Sequence, residues 1–205
     1  MTTDSEQSSS AHDSMKQYQT EQEHSPPSGL QIPAEVTFEQ AIALTQTWLD
    51  RAMRDGVSAE QTEQAIAQLF ATMNGARGFF VAFLTDNRSL DPALLNAVLR
   101  ALAEAPETVA NLLVKNLAMS SAMAIAHRRR EDEINAQGSE NVRSRTFNLI
   151  CRLSSPAIQT EIAALKRSLE SDEGAYASFL TRWGYDAEQR QAIETACNSL
   201  HSHFR

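Results

Sequence analysis

PETVANLLVKNLAMSSAMAIAHRRREDEI, residues 106–134, is the stretch on which the reading of this chain turns. Pro106 sits where a helix tolerates proline, in the first turn, because an N–H there has no intrahelical acceptor. From Val109 to Ala126 apolar and small residues fill most positions, leaving no broad polar face. A helix of that kind is either a membrane span or the core of a packed protein. Lys115 and Asn116 stand in its middle, with Asn111, Ser120 and Ser121 nearby, a set that is costly in hydrocarbon. The stretch is therefore expected as a central buried helix from Pro106 to about Ile134, with no membrane span.

The flanking sequence is punctuated as further helices. Thr37-Phe38-Glu39-Gln40, Ser58-Ala59-Glu60-Gln61 and Asp186-Ala187-Glu188-Gln189 have the form of capping boxes, in which the first and fourth side chains satisfy each other's backbone N–H groups. Asp91-Pro92 and Ser155-Pro156 place a cap before a first-turn proline. Every glycine after Gly29 is expected at a break between helices, with Asn74-Gly75 closing the second helix and Gly138 preceding the sixth. Phe38, Ala41, Ile42, Thr45, Trp48 and Leu49 recur at helical spacing. Gly78–Leu84 has the aromatic content of a strand but no second strand to pair with, so it is expected as a short buried helix. Helix lengths vary and show no fixed repeat period. The expectation is an all-α fold, an irregular bundle of about eight or nine helices around a central buried one.

Of the 205 residues 42% are hydrophobic and 6% aromatic, enough for a core built on small side chains. The net charge of −8 disfavours nucleic acid and anionic lipid as partners of the whole molecule. That charge is unevenly spread. Residues 1–36 hold Asp4, Glu6, Asp13, Glu21, Glu23 and Glu35 against Lys16 alone, a net −5 that leaves −3 for the rest. With few apolar residues and Ser25-Pro26-Pro27-Ser28-Gly29 near its end, this segment is expected as a disordered acidic tail before a single helical domain over 37–205. An acidic start without an apolar run is neither a secretory nor a transit signal, so the cytoplasm is the expected compartment. Cys151 and Cys197 are expected as free thiols.

Two sets of residues stand out. On the central helix Asn116, Ser120 and His127 fall on roughly one face, beside Lys115. They suit a small pocket for an anionic ligand, but Asn and Ser bonded to neighbouring helices, with Lys115 reaching for solvent, is the favoured account. The second set is Arg128, Arg129 and Arg130 at the helix end, with Arg143 and Arg145 beyond the next loop. Residues 127–167 hold eight Lys/Arg against five Asp/Glu, a basic island in an acidic protein. Such an island suits an acidic protein partner, or cations complementing a helix C-terminus and the acids beside them.

Metal and catalytic patterns are thin. Cys197, His201 and His203 have partial ligand spacing at the chain end, and Glu21 with His24 lacks the second carboxylate–histidine helix of a di-iron site. No nucleophile elbow or P-loop is present, and no cofactor or metal is expected. The leading expectation is a non-enzymatic interaction or regulatory module acting through the basic face at 127–167. A binder of a small anion, or an enzyme, using Lys115, Asn116, Ser120 and His127 comes second, and RNA binding third. No residue pattern in the sequence specifies an oligomeric state.

Overall fold

The computed structural model describes residues 30, 32–54 and 56–204, with His201 and Ser202 by backbone alone. The acidic tail expected over 1–36 falls mostly outside the described residues. Its boundary moves, because Val36 is 5% exposed and belongs to the core. Residues from Ile32 onward form one compact unit.

The described residues are all-helical and form nine helices: α1 Phe38–Arg54, α2 Ala59–Phe70, α3 Met73–Thr85, α4 Pro92–Ala103, α5 Pro106–Arg128, α6 Glu133–Leu153, α7 Pro156–Ser171, α8 Ala177–Trp183 and α9 Ala187–His203. Local capping starts most of them. Gln40 N–H donates to Thr37 Oγ1 at 3.2 Å while Thr37 N–H donates to Gln40 Oε1 at 2.9 Å. Ser58 with Gln61 and Asp186 with Gln189 form the other two boxes, and Pro92, Pro106 and Pro156 stand in first turns.

The helices form two packed groups. In the first, α1 lies along α3 and α2 along α4. Its core is aromatic: Phe79 and Phe83 stack at 5.1 Å, Phe70 meets Phe79 and Phe80 edge-on at 5.6 Å, and Trp48 closes the cluster. Phe79 and Phe80 are fully buried, each contributing about 1.5–3 kcal/mol of transfer free energy. The stretch expected as a short buried helix is one, lengthened at both ends into α3. In the second group α6, α7 and α9 surround α5, while α3 and α4 reach across to α5 and α6. Leu113, Leu117, Ala118 and Ala122 of α5 have no solvent exposure. α5 is the one described helix long and apolar enough to cross a bilayer, and most of that stretch is buried among the others, as in a core helix.

The structure differs from the expected breaks at three glycines and at the end of the fifth helix. The second helix stops at Phe70, and Gly75 lies in the first turn of α3, where its N–H donates to Thr72 Oγ1 at 3.0 Å. Only Ala71 and Thr72 separate the helices, so close that a Cβ on Gly75 would lie 1.9 Å from the Leu69 carbonyl oxygen. Gly78 is likewise inside α3, against α1. The fifth helix ends at Arg128 rather than near Ile134, because Glu131 turns left-handed (φ 57°) and Asp132 caps a new helix by accepting the Asn135 N–H at 3.1 Å. Gly138 therefore falls inside α6 instead of before it.

Candidate functional site

α5 carries its polar residues on two faces that meet different neighbours. Asn116, Ser120 and His127 do come together. With Asn87 after α3 and Asn135 and Asn141 of α6 they line a cleft of about 350 Å³, floored by Met119 and Met123. Part of their hydrogen-bonding capacity is spent on α5 itself: Asn116 Nδ2 donates to the Leu112 carbonyl at 3.0 Å, and Ser120 Oγ to that of Asn116 at 2.6 Å. His127 Nδ1 stands 3.8 Å from Asp132 Oδ2. Hydrogen bonds from the Asn135 side chain and backbone hold the Asp132 carboxyl below its ordinary range. The cleft offers amides, hydroxyls and one imidazole, a set suited to neutral hydrogen-bonding groups.

Lys115 is not part of that cleft. Its Nζ donates to Asn111 Oδ1 at 2.7 Å and lies 6.0 Å from the Tyr176 ring centroid. Asn111 Nδ2 donates to Glu161 Oε2 at 3.2 Å, and the Tyr176 hydroxyl donates to the same carboxylate oxygen. This half-buried network ties α5 to α7 and to the start of α8. Burial, then the Glu161 hydrogen bond and charge, push the Tyr176 phenol far above its usual value. Each polar group has a partner, as a buried network requires.

The five arginines of the basic island do not share one face. Arg128 donates to Glu140 at 2.5 Å and lies 3.7 Å from Glu133. Arg129 bridges to Asp186 and Glu188 at the start of α9, pinning the α5–α6 turn to that helix. Hydrogen bonds from Arg129 and the α9 backbone keep Asp186 ionised below its ordinary range. Arg130 is exposed, with no ion-pair partner among the described residues. Arg145 turns inward, donating Nη2 to the Phe83 carbonyl at 3.0 Å with its guanidinium 5.7 Å from that ring's centroid. Of the five, only Arg143 lines the concavity that separates α6 from α9.

That concavity is a groove of about 790 Å³ between α6 and α9, floored by α5. α6 and α9 each pack on α5 but scarcely on each other. Their facing positions are regular: Arg143, Ser144, Phe147 and Asn148 on α6, and Glu188, Gln191, Ala192, Thr195, Ala196 and Ser199 on α9, with Leu117 and Ile125 beneath. On α9 the positions follow a three- and four-residue stride, one stripe down the helix. Sequence periodicity marks that stripe only weakly, since alanine, serine and threonine sit equally well on a solvated or an apolar face. At one end Glu188 is engaged by Arg129, whereas Arg143 has no carboxylate within ion-pair distance among the described residues.

No group of three or more His, Cys, Asp or Glu residues is placed to hold a metal ion among the described residues. Of the partial set at the chain end, Cys197 is fully buried and burial pushes its thiol up to about 12, while the His201 side chain lies outside the described residues. Both cysteines are free.

No curated protein and no solved structure matches the chain. Residues 37–200, the span from the α1 cap to the end of the α9 stripe, match the family described as Uncharacterised conserved protein UCP020893, and the chain belongs to that family.

Proposed function

We propose that this protein is a non-enzymatic interaction module of the cytosol, whose α6–α9 groove receives an amphipathic helix of a partner protein, with an acidic residue of that helix against Arg143. The observation that carries the reading is the groove itself, walled by two helices that both pack on α5 and leave a channel between them. From Glu188 to Ser199 its α9 wall rises about 16 Å, three helical turns, a length matched by the apolar stripe of a short recognition helix. Small residues on that wall, Ala192, Ala196 and Ser199, let another backbone approach, and Phe147 with Ile125 supplies apolar surface. Charge selects the occupant. Arg128 and Arg129 are engaged by carboxylates of the chain itself, and Arg143 is the cation left facing the channel.

A photo-crosslinking amino acid at Ser144, inside the groove, tests this in the native cell, with Asn96 on the exposed face of α4 as control. The expected result is a discrete adduct to another protein from Ser144 only, mapping to a helical segment with an acidic residue. Arg143→Glu weakens it and Ala196→Trp, which fills the groove, abolishes it. Equal adducts from both positions, indifference to both substitutions, or an adduct consisting of two copies of this chain would each overturn the reading.

A further inference from the structure

Around α6 from the groove, sharing only Asn148 with it, lies a second pocket of different chemistry. Arg145, Asn148, Leu149 and Arg152 follow at three- and four-residue steps on one face of α6. Opposite stand Phe83 at the end of α3, the Arg88-Ser89-Leu90 segment and Leu95 of α4, together enclosing about 460 Å³. Phe83, Leu90, Leu95 and Leu149 give apolar walls, while Arg88, Arg145 and Arg152 are the charged lining. A volume of this size lies within the range of small-molecule sites.

The three guanidinium groups are not equivalent. Arg88 is paired with two carboxylates: Nη1 donates to Asp50 Oδ1 at 2.7 Å, and Nε and Nη2 to the Asp86 carboxylate at 3.0 and 2.5 Å. Arg145 and Arg152 have no carboxylate within ion-pair distance among the described residues. Arg145 spends one N–H on the Phe83 carbonyl, and its Nε is buried with no acceptor among the described residues. Burial pulls its pKa below the ordinary guanidinium value, with only a distant Asp86 opposing. A cation half withdrawn from water, with an orphan N–H and no carboxylate at ion-pair distance among the described residues, is destabilising unless something outside the chain completes it. The guanidinium fork is shaped to take two oxygens of one acid group.

We propose that this pocket binds a small amphiphilic anion, its carboxylate or phosphate head held by Arg145 and Arg152 and its short apolar body lying against Phe83, Leu90, Leu95 and Leu149. Neither arginine lines the α6–α9 groove, so this site stands or falls separately from the docking reading. Cys151 also lines the pocket and is free, which makes its thiol a built-in reporter of occupancy.

Isothermal titration of the full chain with hexyl phosphate, hexanoate, hexanol and inorganic phosphate tests it. One or both amphiphilic anions are expected to bind with Kd below about 1 mM, at least tenfold more tightly than hexanol or inorganic phosphate. The phosphate and carboxylate arms decide which head the site prefers. Saturation slows alkylation of Cys151 in the folded protein. Arg152→Met, at an exposed position, weakens binding at least tenfold without change in melting temperature. Arg145→Met abolishes binding in a protein that melts no lower than the parent. Absence of both binding and Cys151 protection with either anion up to about 5 mM would overturn the proposal. So would undiminished affinity in both arginine variants, or inorganic phosphate binding as tightly as hexyl phosphate.

Discussion

Gly78 of α3 lies against Ala41 of α1 so closely that a methyl group on Gly78 would stand 2.5 Å from the Ala41 Cβ and 2.8 Å from the Phe38 carbonyl oxygen. The absence of a side chain lets α1 and α3 approach and brings Trp48 to 6.5 Å from Phe79 and from Phe83. Gly78→Ala improves helix propensity and still destabilises, because backbone on α1 must move. The expected loss is about 1–3 kcal/mol by chemical denaturation; an unchanged midpoint would show that α1 can shift freely.

Gly138 gives the opposite sign. It lies in the exposed first half of α6, and a Cβ built there meets nothing within 4 Å. Gly138→Ala is expected to stabilise by about 0.5–1 kcal/mol, measured by the same denaturation curves.

Tyr176 donates its hydroxyl to Glu161 while 1% exposed, so Tyr176→Phe leaves a carboxylate with one partner fewer. The expected cost is about 1–3 kcal/mol at neutral pH. The phenol holds its proton in the folded state far above the unfolded value of 10.0. Its contribution is thus fully present below pH 10 and declines as pH rises past it, where the unfolded chain ionises and the folded one does not. Tyr185, also buried and shifted upward, behaves alike. Stability measured from pH 9 upward should fall less steeply in Tyr176→Phe than in the parent, with Tyr185 and the raised thiols of Cys151 and Cys197 contributing to the slope that remains. Equal slopes would mean that Tyr176 ionises normally.

Cys197 is fully buried with its thiol raised to about 12, and the half-buried Cys151 is also raised. Thiolate is the reacting form. A disulfide reagent at pH 8 should label Cys151 slowly and Cys197 only on unfolding. Prompt labelling of both in the native protein would contradict the packing of α9 on α5.

Ile134 is 87% exposed in the first turn of α6, beyond the turn that ends α5. Ile134→Glu removes no packing and adds an acid where the helix dipole favours one. Its effect on stability should lie within about 0.5 kcal/mol of zero, or be slightly stabilising. A loss of several times that would mean the side chain is covered.

The helix starts were legible because a cap is a local device. Thr37 and Gln40, Ser58 and Gln61, and Asp186 and Gln189 satisfy each other within four residues, so their pattern survives in one dimension. Helix ends were harder. The Arg128–Asp132 turn has no glycine, and its left-handed residue is Glu131, which no local preference announces. Gly75 and Gly78 read as breaks because a glycine that permits close helix contact and one that ends a helix look alike until the second helix is in place.

The composition of residues 106–128 by itself determined that α5 would be the buried axis of an all-helical fold, since a helix apolar on nearly every side must be covered on nearly every side. It also brought Asn116, Ser120 and His127 to one cleft, because that relation depends only on helical stride. Only the tertiary structure decided what the charges do. Arg129 meets acids 57 and 59 residues away, Arg145 meets a carbonyl 62 residues away, and Lys115 turns to a network closed by Glu161 and Tyr176. A run of arginines is one island along the chain; in the folded protein successive positions point 100° apart and find different counter-charges. That Arg143 over the groove and Arg145 and Arg152 in the pocket are left without a carboxylate at ion-pair distance among the described residues follows from packing alone.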